Sequence, residues 1–430
     1  MKTSLVGLQH FISSFNSLIF IIFMLLYAYQ IFYIFAVLFS KKKKAVKEEV
    51  CLHKFGFLIA ARNEAGVIGH LIDSIRKQDY PAELIRIFVI ADNCTDNTAE
   101  VARQAGAVVF ERNNKEQVGK GYALDFGLKS IDRDYADEKI EGIFIFDADN
   151  LLSGNYVSEM NKVFDQGYPV VTSYRNSKNY GTNWLTAGYS LWFLRESRYL
   201  NNARMILDTN CAVSGTGFLV NTEVFRENDG WHYTLLTEDI EFSVDCAVMG
   251  CKIGFANAEF YDEQPETFKQ SWTQRMRWAK GFYQVFGKYG AKLFKNWLMN
   301  FSFPCYDLTM TVFPALFISL TCCVVNLGIM IYSLCVGAEA ANLVNITLSS
   351  LLVTVCNFYL TILAVGLLTT ITEWKHIDCP KWKRILYVFT FPFFMFTYVP
   401  IAIAALFKKV KWDPIAHNIT KNIGDMKDNK

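Results

Sequence analysis

Residues 85–96 read Ile85-Arg86-Ile87-Phe88-Val89-Ile90-Ala91-Asp92-Asn93-Cys94-Thr95-Asp96. Ile85–Ile90 has the length and composition of a buried strand, and Asp92 closes it. Beyond that, Asn97 followed three residues later by Glu100 is a capping-box pattern, opening a helix that ends near Gly106. The same unit stands upstream: an apolar run over Lys54–Ala60, then Arg62, Asn63 and Glu64, then Ile68, Leu71, Ile72 and Ile75 at helical spacing. It recurs downstream, with a strand over Ala107–Phe110, a helix over Tyr122–Lys129 and a fourth strand over Gly142–Phe146. Such alternation predicts an α/β domain with a largely parallel sheet covered on both faces. Ligands of these sheets bind beyond the carboxyl ends of the strands. Asp92, Asp147 and Asp149 would share that edge, where a nucleotide and its metal would sit.

The flanks belong to a different solvent. With 52% hydrophobic and 15% aromatic residues, the chain is more apolar than a soluble protein of its length. The excess is concentrated outside Lys41–Asp262. Leu18–Phe39 is long enough to cross a hydrocarbon core of about 30 Å. Lys41, Lys42, Lys43 and Lys44 follow it where a signal peptide would have a small-residue cleavage site, and they mark a cytosolic side. Three further apolar stretches, Tyr306–Val336, Asn342–Thr372 and Ile385–Phe407, are also of spanning length. Four crossings would place the C-terminus opposite the globular part, whereas Lys408, Lys409 and Lys411 argue for the same side. The last stretch contains Pro392 and Pro400, so a kinked, re-entrant or interfacial element is the alternative to a fourth crossing.

A net charge of +2 supplies no field for nucleic acid, and the basic clusters flank apolar segments, where lipid headgroups are the natural partner. The eleven cysteines form no Cys-x-x-Cys pair and no zinc-ligand spacing, as expected of free thiols in a reducing compartment.

Three clusters carry chemistry. Asp147-Ala148-Asp149 at a strand end lets one or both carboxylates reach a hard divalent cation bridging two phosphates. Thr237-Glu238-Asp239 lies between the glycine-rich Ser214-Gly215-Thr216-Gly217 and an apolar run. That pattern is an ordinary helix start, and it would also fix an aspartate as a general base. Gln274, Arg277 and Trp278 share one helical face at i, i+3 and i+4, in a segment that mixes aromatic and basic residues as an interfacial helix does.

Asp92, Asp147-Ala148-Asp149, Thr237-Glu238-Asp239 and Gln274-Arg275-Met276-Arg277-Trp278 follow the order and spacing of the D, DxD, TED, QxxRW signature. The chain therefore resembles the processive family 2 glycosyltransferases, the group of cellulose, chitin, hyaluronan and poly-N-acetylglucosamine synthases, over Phe55 to about Gly287. The resemblance implies a Rossmann-like (GT-A) transferase domain inserted between N- and C-terminal membrane helices. The segments would run 1–44, 45–262 (cytosolic transferase), 263–303 (interfacial), 304–407 (membrane) and 408–430 (tail).

By position, Asp92 would contact the uracil or ribose. Asp149, with Asp147, would hold Mg2+ or Mn2+ on the UDP diphosphate, and Lys120 would touch the same diphosphate. Asp239 would deprotonate the acceptor hydroxyl. Gln274, Arg277, Trp278, Gly215, Gly217 and Glu238 would line the acceptor and pyrophosphate region. Trp412 and His417, beyond the last apolar stretch, stand where related polymerases carry a gating segment. The implied reaction is inverting transfer from UDP-N-acetylglucosamine or UDP-glucose to a growing β-linked glycan, at the cytosolic face of the plasma membrane. The expected partners are the donor, the glycan, the bilayer and export or regulatory subunits. The rival readings are single-sugar transfer to a polyprenyl phosphate and an inactive scaffold.

Overall fold

The computed structural model describes residues 2–40, 50–337, 341–410, 419, 421 and 423–426. Trp412 and His417, the expected gating residues, lie outside them.

Eight strands build one sheet: β1 Phe55–Ala61, β2 Ile85–Asp92, β3 Val108–Arg112, β4 Gly142–Asp147, β5 Leu151–Leu152, β6 Val170–Ser177, β7 Phe218–Asn221 and β8 Ile253–Asp262. Their order is β3-β2-β1-β4-β7-β6-β8-β5. The four strands read from sequence form the parallel half, with Ala60 level with Asp147 and Ala61 level with Ala91. That register places Asp92 and Asp147 at one edge, as parallel packing requires. The expectation of a largely parallel sheet is corrected in the other half: β7 runs antiparallel to β4 and β6, and β5 antiparallel to β8. Alternation along each strand feeds two cores. Leu58, Phe88, Ile90 and Ile145 meet Leu124 and Leu128 of the helix Lys120–Tyr135 on one face. Phe57, Ile59, Val89 and Phe146 meet Leu71, Ile72, Ile75 and Met160 on the other.

The capping box expected at Asn97 does not form. Asn97 precedes the helix Thr98–Gln104 without a side-chain cap bond. Instead Asp96 accepts from the Thr98 amide at 3.1 Å and from its hydroxyl at 2.5 Å, one residue earlier than the pattern suggested. An Asx-type turn thus outcompetes the box.

Among the described residues, four helices are long and apolar enough to cross a membrane: Leu5–Phe39, Phe317–Val336, Asn342–Thr372 and Lys381–Phe407. The first is longer than the Leu18–Phe39 run read from sequence, because residues 5–17 continue it as helix. It breaks at Ala28, and Tyr33 and Val37 beyond the break pack on Tyr199 and Ala203 of the sheet domain. The first three pack together at Leu5, Ile12 and Leu343. Between them Asn16 and Asn326 exchange side-chain amide hydrogen bonds of 3.0 and 2.8 Å, and Asn16 also donates to Ser350 at 2.6 Å. The fourth is different: 39% of its apolar window is buried, against 6–11% in the others. It carries Pro392 and breaks at Thr397: before the break it packs on the third, with Phe396 on Phe358 at 4.8 Å and Phe393 on Tyr359 at 5.5 Å, and after it Ile401, Ala402 and Ala405 meet Met276 and Ala279 of the helix Phe268–Asn300. Lys383 at its start donates to Gly181 O, and Lys280 reaches Ala405 O near its end. Its start therefore sits against the sheet domain and its end against the helix Phe268–Asn300. The tail also returns to the sheet domain, where Ile419 N donates to Glu263 Oε2 and Met426 is buried against Leu151 and Tyr261.

Candidate active site

One cavity of about 420 Å³ opens at the carboxyl edge of the parallel strands. Of the residues singled out in the sequence, it gathers Asp92, Lys120, Asp147, Asp149, Gly215, Glu238, Asp239, Gln274, Arg277 and Trp278. Gly217 does not line it. Its φ is +70°, and a Cβ there would come within 2.3 Å of Phe260, so this glycine serves the turn into β7.

Strand ends supply the first wall. Asp92 is 6% exposed and held by Arg112 Nη1 at 2.6 Å. Asp147 opens to the cavity and takes Lys120 Nζ at 2.5 Å, while the same ammonium donates to Gly215 O at 2.7 Å and lies 3.9 Å from Glu238. Lys120 thus ties the strand end, the glycine turn and a helix start together. Asp149, 5% exposed, accepts from Glu263 N at 2.9 Å.

The second wall is the start of the helix Glu238–Met249. Asp239 Oδ2 accepts from Gly215 N at 2.6 Å, and Gly215, at φ +75°, turns that amide toward the carboxylate. Burial pushes the Asp239 carboxyl above the ordinary range, against the pull of the backbone amides and Lys120. Burial likewise carries Glu238 up to about 7 despite Lys120, with Asp239 adding to the rise.

The third wall is the helix Phe268–Asn300, started by a complete Thr267/Gln270 capping box. Gln274, Arg277 and Trp278 face the cavity. Gln274 Oε1 is buried without a hydrogen-bond partner, as a ligand-binding group left open would be. Trp278 meets Tyr189 and Phe193 edge-on at 5.7 and 6.1 Å. Arg275, between the two motif positions, points the opposite way. Fully buried, it donates to Phe394 O at 3.2 Å and Thr397 Oγ1 at 2.6 Å, and its guanidinium lies over Phe394 and Tyr398 at 4.5 and 5.0 Å. It fastens this helix to the break in the fourth apolar helix.

Nine carboxylates and five cations line the cavity, so a diphosphate would enter an acid-rich site unless a cation came with it. Among the described residues no three His, Cys, Asp or Glu side chains converge on one metal position. Two carboxylates at a strand end, with phosphate oxygens and water completing the shell, suit Mg2+ or Mn2+, which rarely take an all-protein cage. The donor set fits that group, which Asp147 and Asp149 would hold.

Residues 151–213 were silent in the sequence reading, yet they contribute Arg175, Trp192, Phe193, Glu196, Leu200 and Arg204 to the cavity. Arg175 holds Asp262 at 2.5 Å, donates to Ser214 O at 3.0 Å and lies 3.6 Å over the Phe193 ring. Burial lifts Asp262 to about 6 against that arginine. Arg204 makes a two-pronged pair with Asp307, at 2.7 and 3.0 Å. No local motif announces these residues; only tertiary packing brings them in.

A family model described as Glycosyltransferase like family 2 matches residues 53–281. The beta-monoglucosyldiacylglycerol synthase of Synechocystis is 24% identical over 248 residues, 56% of this chain and 49% of that protein. The poly-beta-1,6-N-acetyl-D-glucosamine synthase of Staphylococcus epidermidis is 25% identical over 265 residues, 57% of this chain and 59% of that protein. The chain spans about half to three fifths of the length of these curated relatives. Among solved structures, the mannosyltransferase PcManGT of Pyrobaculum calidifontis, in complex with GDP-Man and Mn2+, superposes with a TM-score of 0.56. It shares 17% identity and covers 91% of this chain and 99% of its own, a likeness of fold.

Proposed function

The chain belongs to the glycosyltransferase like family 2, and from that premise we propose that it transfers a sugar from a UDP-sugar to an acceptor hydroxyl, inverting the anomeric centre. The observation that carries the reading is the Asp239 carboxylate. It is fixed by the Gly215 amide in the same cavity as the Asp147/Asp149 pair and Arg277. A base held in place, rather than swinging, removes one degree of freedom from the attack. Asp239 takes the proton of the attacking hydroxyl at Oδ1, the oxygen that Gly215 leaves open. Asp92 holds the nucleoside end, and Lys120 and Arg277 bracket the diphosphate. Mg2+ or Mn2+ on Asp149 and Asp147 would neutralise the charge that develops on the leaving group. In-line attack on an α-linked UDP-N-acetylglucosamine or UDP-glucose gives a β-linked product.

The acceptor has two readings. Gln274, Arg277 and Trp278 present an amide, a cation and a ring face suited to a growing glycan, the kind of product named for the staphylococcal relatives. The apolar wall of Trp192, Phe193, Leu200, Met395 and Tyr398, beside helices of membrane-spanning length, favours a lipid-borne hydroxyl, as the name of the cyanobacterial relatives has it. In either case the transferase domain works at the cytosolic face of a membrane, the plasma membrane being the expected one.

UDP release by membranes containing the chain, scanned over UDP-sugars with Mg2+, Mn2+ or EDTA, tests the reading. One donor should give metal-dependent turnover, and Asp239→Asn should lower it by about 10²-fold or more, within the range of a lost general base. Turnover equal in Asp239→Asn and wild type would overturn the assignment of the base. High-mass glycan or glycolipid among the products identifies the acceptor.

A further inference from the structure

The helix Trp184–Arg195 does not end cleanly. It runs into a π-helical turn, Glu196–Asn201, and then into Asn202–Ile206. A π-helical insertion costs backbone regularity and re-aims the side chains around it, which is why such turns collect at functional sites. Here the first residue of the turn is Glu196, which lines the cavity beside Ser214 and lies within electrostatic reach of Asp239. Resting on the transferase reading above, we propose that Glu196 is the acceptor-binding carboxylate of this site, accepting a hydrogen bond from a neutral polyol whose neighbouring hydroxyl is the one that attacks.

Three observations carry this. First, Glu196 is not needed as a counter-ion. Arg175 already holds Asp262 at 2.5 Å, and Arg204 already holds Asp307 with two nitrogens, at 2.7 and 3.0 Å. A third carboxylate between two satisfied arginines is a net burden on the fold. Burial accordingly pushes its carboxyl above the ordinary range, only partly offset by Arg175 and Arg204. Second, its remaining exposure is toward the cavity, on the side where Trp192, Phe193 and Leu200 form an apolar wall. An apolar wall with one acceptor-only oxygen pair is the arrangement that reads a hydroxyl on a carbon frame. Third, Glu196, Glu238 and Asp239 set three carboxyls at this end of the cavity, where the nearby cations Lys120, Arg175 and Arg204 are already taken by Asp147, Asp262 and Asp307. A phosphate nucleophile would be repelled there, and a neutral hydroxyl would not. The acceptor is therefore a sugar or a glyceryl hydroxyl, and not a polyprenyl phosphate.

The test uses the full-length chain in lipid nanodiscs at saturating UDP-sugar and Mn2+, with three acceptor probes. These are a short β-linked N-acetylglucosamine oligosaccharide, 1,2-diacylglycerol and undecaprenyl phosphate. Wild type should use one of the two neutral probes, and which one identifies the source of the hydroxyl. Losing a hydrogen bond to a charged group should raise that acceptor's KM about tenfold or more in Glu196→Ala. Glu196→Gln, which keeps an acceptor oxygen, should raise it less. The Kd for UDP with Mn2+, measured by calorimetry, should stay within about twofold in both variants, a split that general damage to the fold would not produce. Acceptor KM unchanged in Glu196→Ala, a parallel loss of UDP affinity, or a wild type that prefers undecaprenyl phosphate would each overturn the assignment. UDP release absent from wild type with every donor and probe would instead bring down the transferase reading, and this inference with it.

Discussion

At the scale of single residues, the site is governed by carboxylates drawn partly out of water. Asp239 and Glu238 are both raised by burial, Glu238 to about 7. A base with a raised pKa is protonated, and idle, at a higher pH than an ordinary carboxylate. The acid limb of log kcat/KM should therefore bend above about 4, the unperturbed range. A pH–rate profile reads it directly, and a limb at or below pH 4 would contradict the burial argument. Stability carries the opposite sign. A carboxyl raised on folding stabilises the fold below its unfolded pKa, and that contribution is lost as pH rises through the folded value. Glu238→Gln is thus expected to stabilise the fold at pH 8 by on the order of 1 kcal/mol, read as a higher Tm, to leave Tm unchanged at pH 4, and to lower activity. Asp147, Asp149 and Asp239 were legible in the sequence because each sits at the end of a regular element, where local pattern fixes direction. Glu196, Arg175 and Arg204 were not, because their place in the cavity depends on a π-helical turn and on partners as distant in the chain as Asp262 and Asp307.

Among the elements, the helix Phe268–Asn300 connects chemistry to membrane. One face presents Gln274, Arg277 and Trp278 to the cavity; the other seats Arg275 at the Thr397 break. Its register against the catalytic helix is set by Gly281, where a Cβ would meet Thr237 Oγ1 at 2.4 Å and Cγ2 at 2.5 Å. Alanine is ordinarily the better helix former by about 1 kcal/mol. Gly281→Ala should nonetheless push this helix away from Thr237 and displace Asp239, lowering kcat by roughly 10–10²-fold while UDP affinity is largely retained. Steady-state kinetics beside calorimetry checks it, and wild-type kcat would show that the interface can absorb a methyl. The parallel strands were readable because each is a short apolar run bounded by polar loops. The helix Trp184–Arg195 was not: Leu185–Leu191, Phe193 and Leu194 are all buried, polar and apolar alike, so no apolar stripe of period 3.6 survives. β6 was equally hidden, since its second half, Tyr174-Arg175-Asn176-Ser177, is polar and faces other polar groups.

For the whole molecule, the placement of helix ends bears on the parity that charge alone left open. The first apolar helix reaches the sheet domain at Tyr33 and Val37, the third ends where Glu373 pairs with Arg198 at 3.2 Å, and the fourth begins against the domain at Gly181 and finishes on Lys280 of the helix Phe268–Asn300. Three crossings and a re-entrant fourth element, which enters beside Phe358 and Tyr359 of the third helix and returns along Phe268–Asn300, are consistent with these contacts. Epitope tags at Gly337 and at the C-terminus should therefore fall on opposite sides of the membrane in protease-protection experiments, the C-terminal tag with the transferase domain. Tags on the same side would restore a fourth crossing. Sequence could not decide this, because residues 381–407 are as hydrophobic as a span, and only packing against the helix Phe268–Asn300 distinguishes the two. Asn16, Asn326 and Ser350 tie the three helices together by side-chain hydrogen bonds, and a sugar chain threaded between them would have to break those bonds. A polymer made here would leave more easily beside the bundle. A glycolipid would need no conduit at all and would slip sideways into the leaflet.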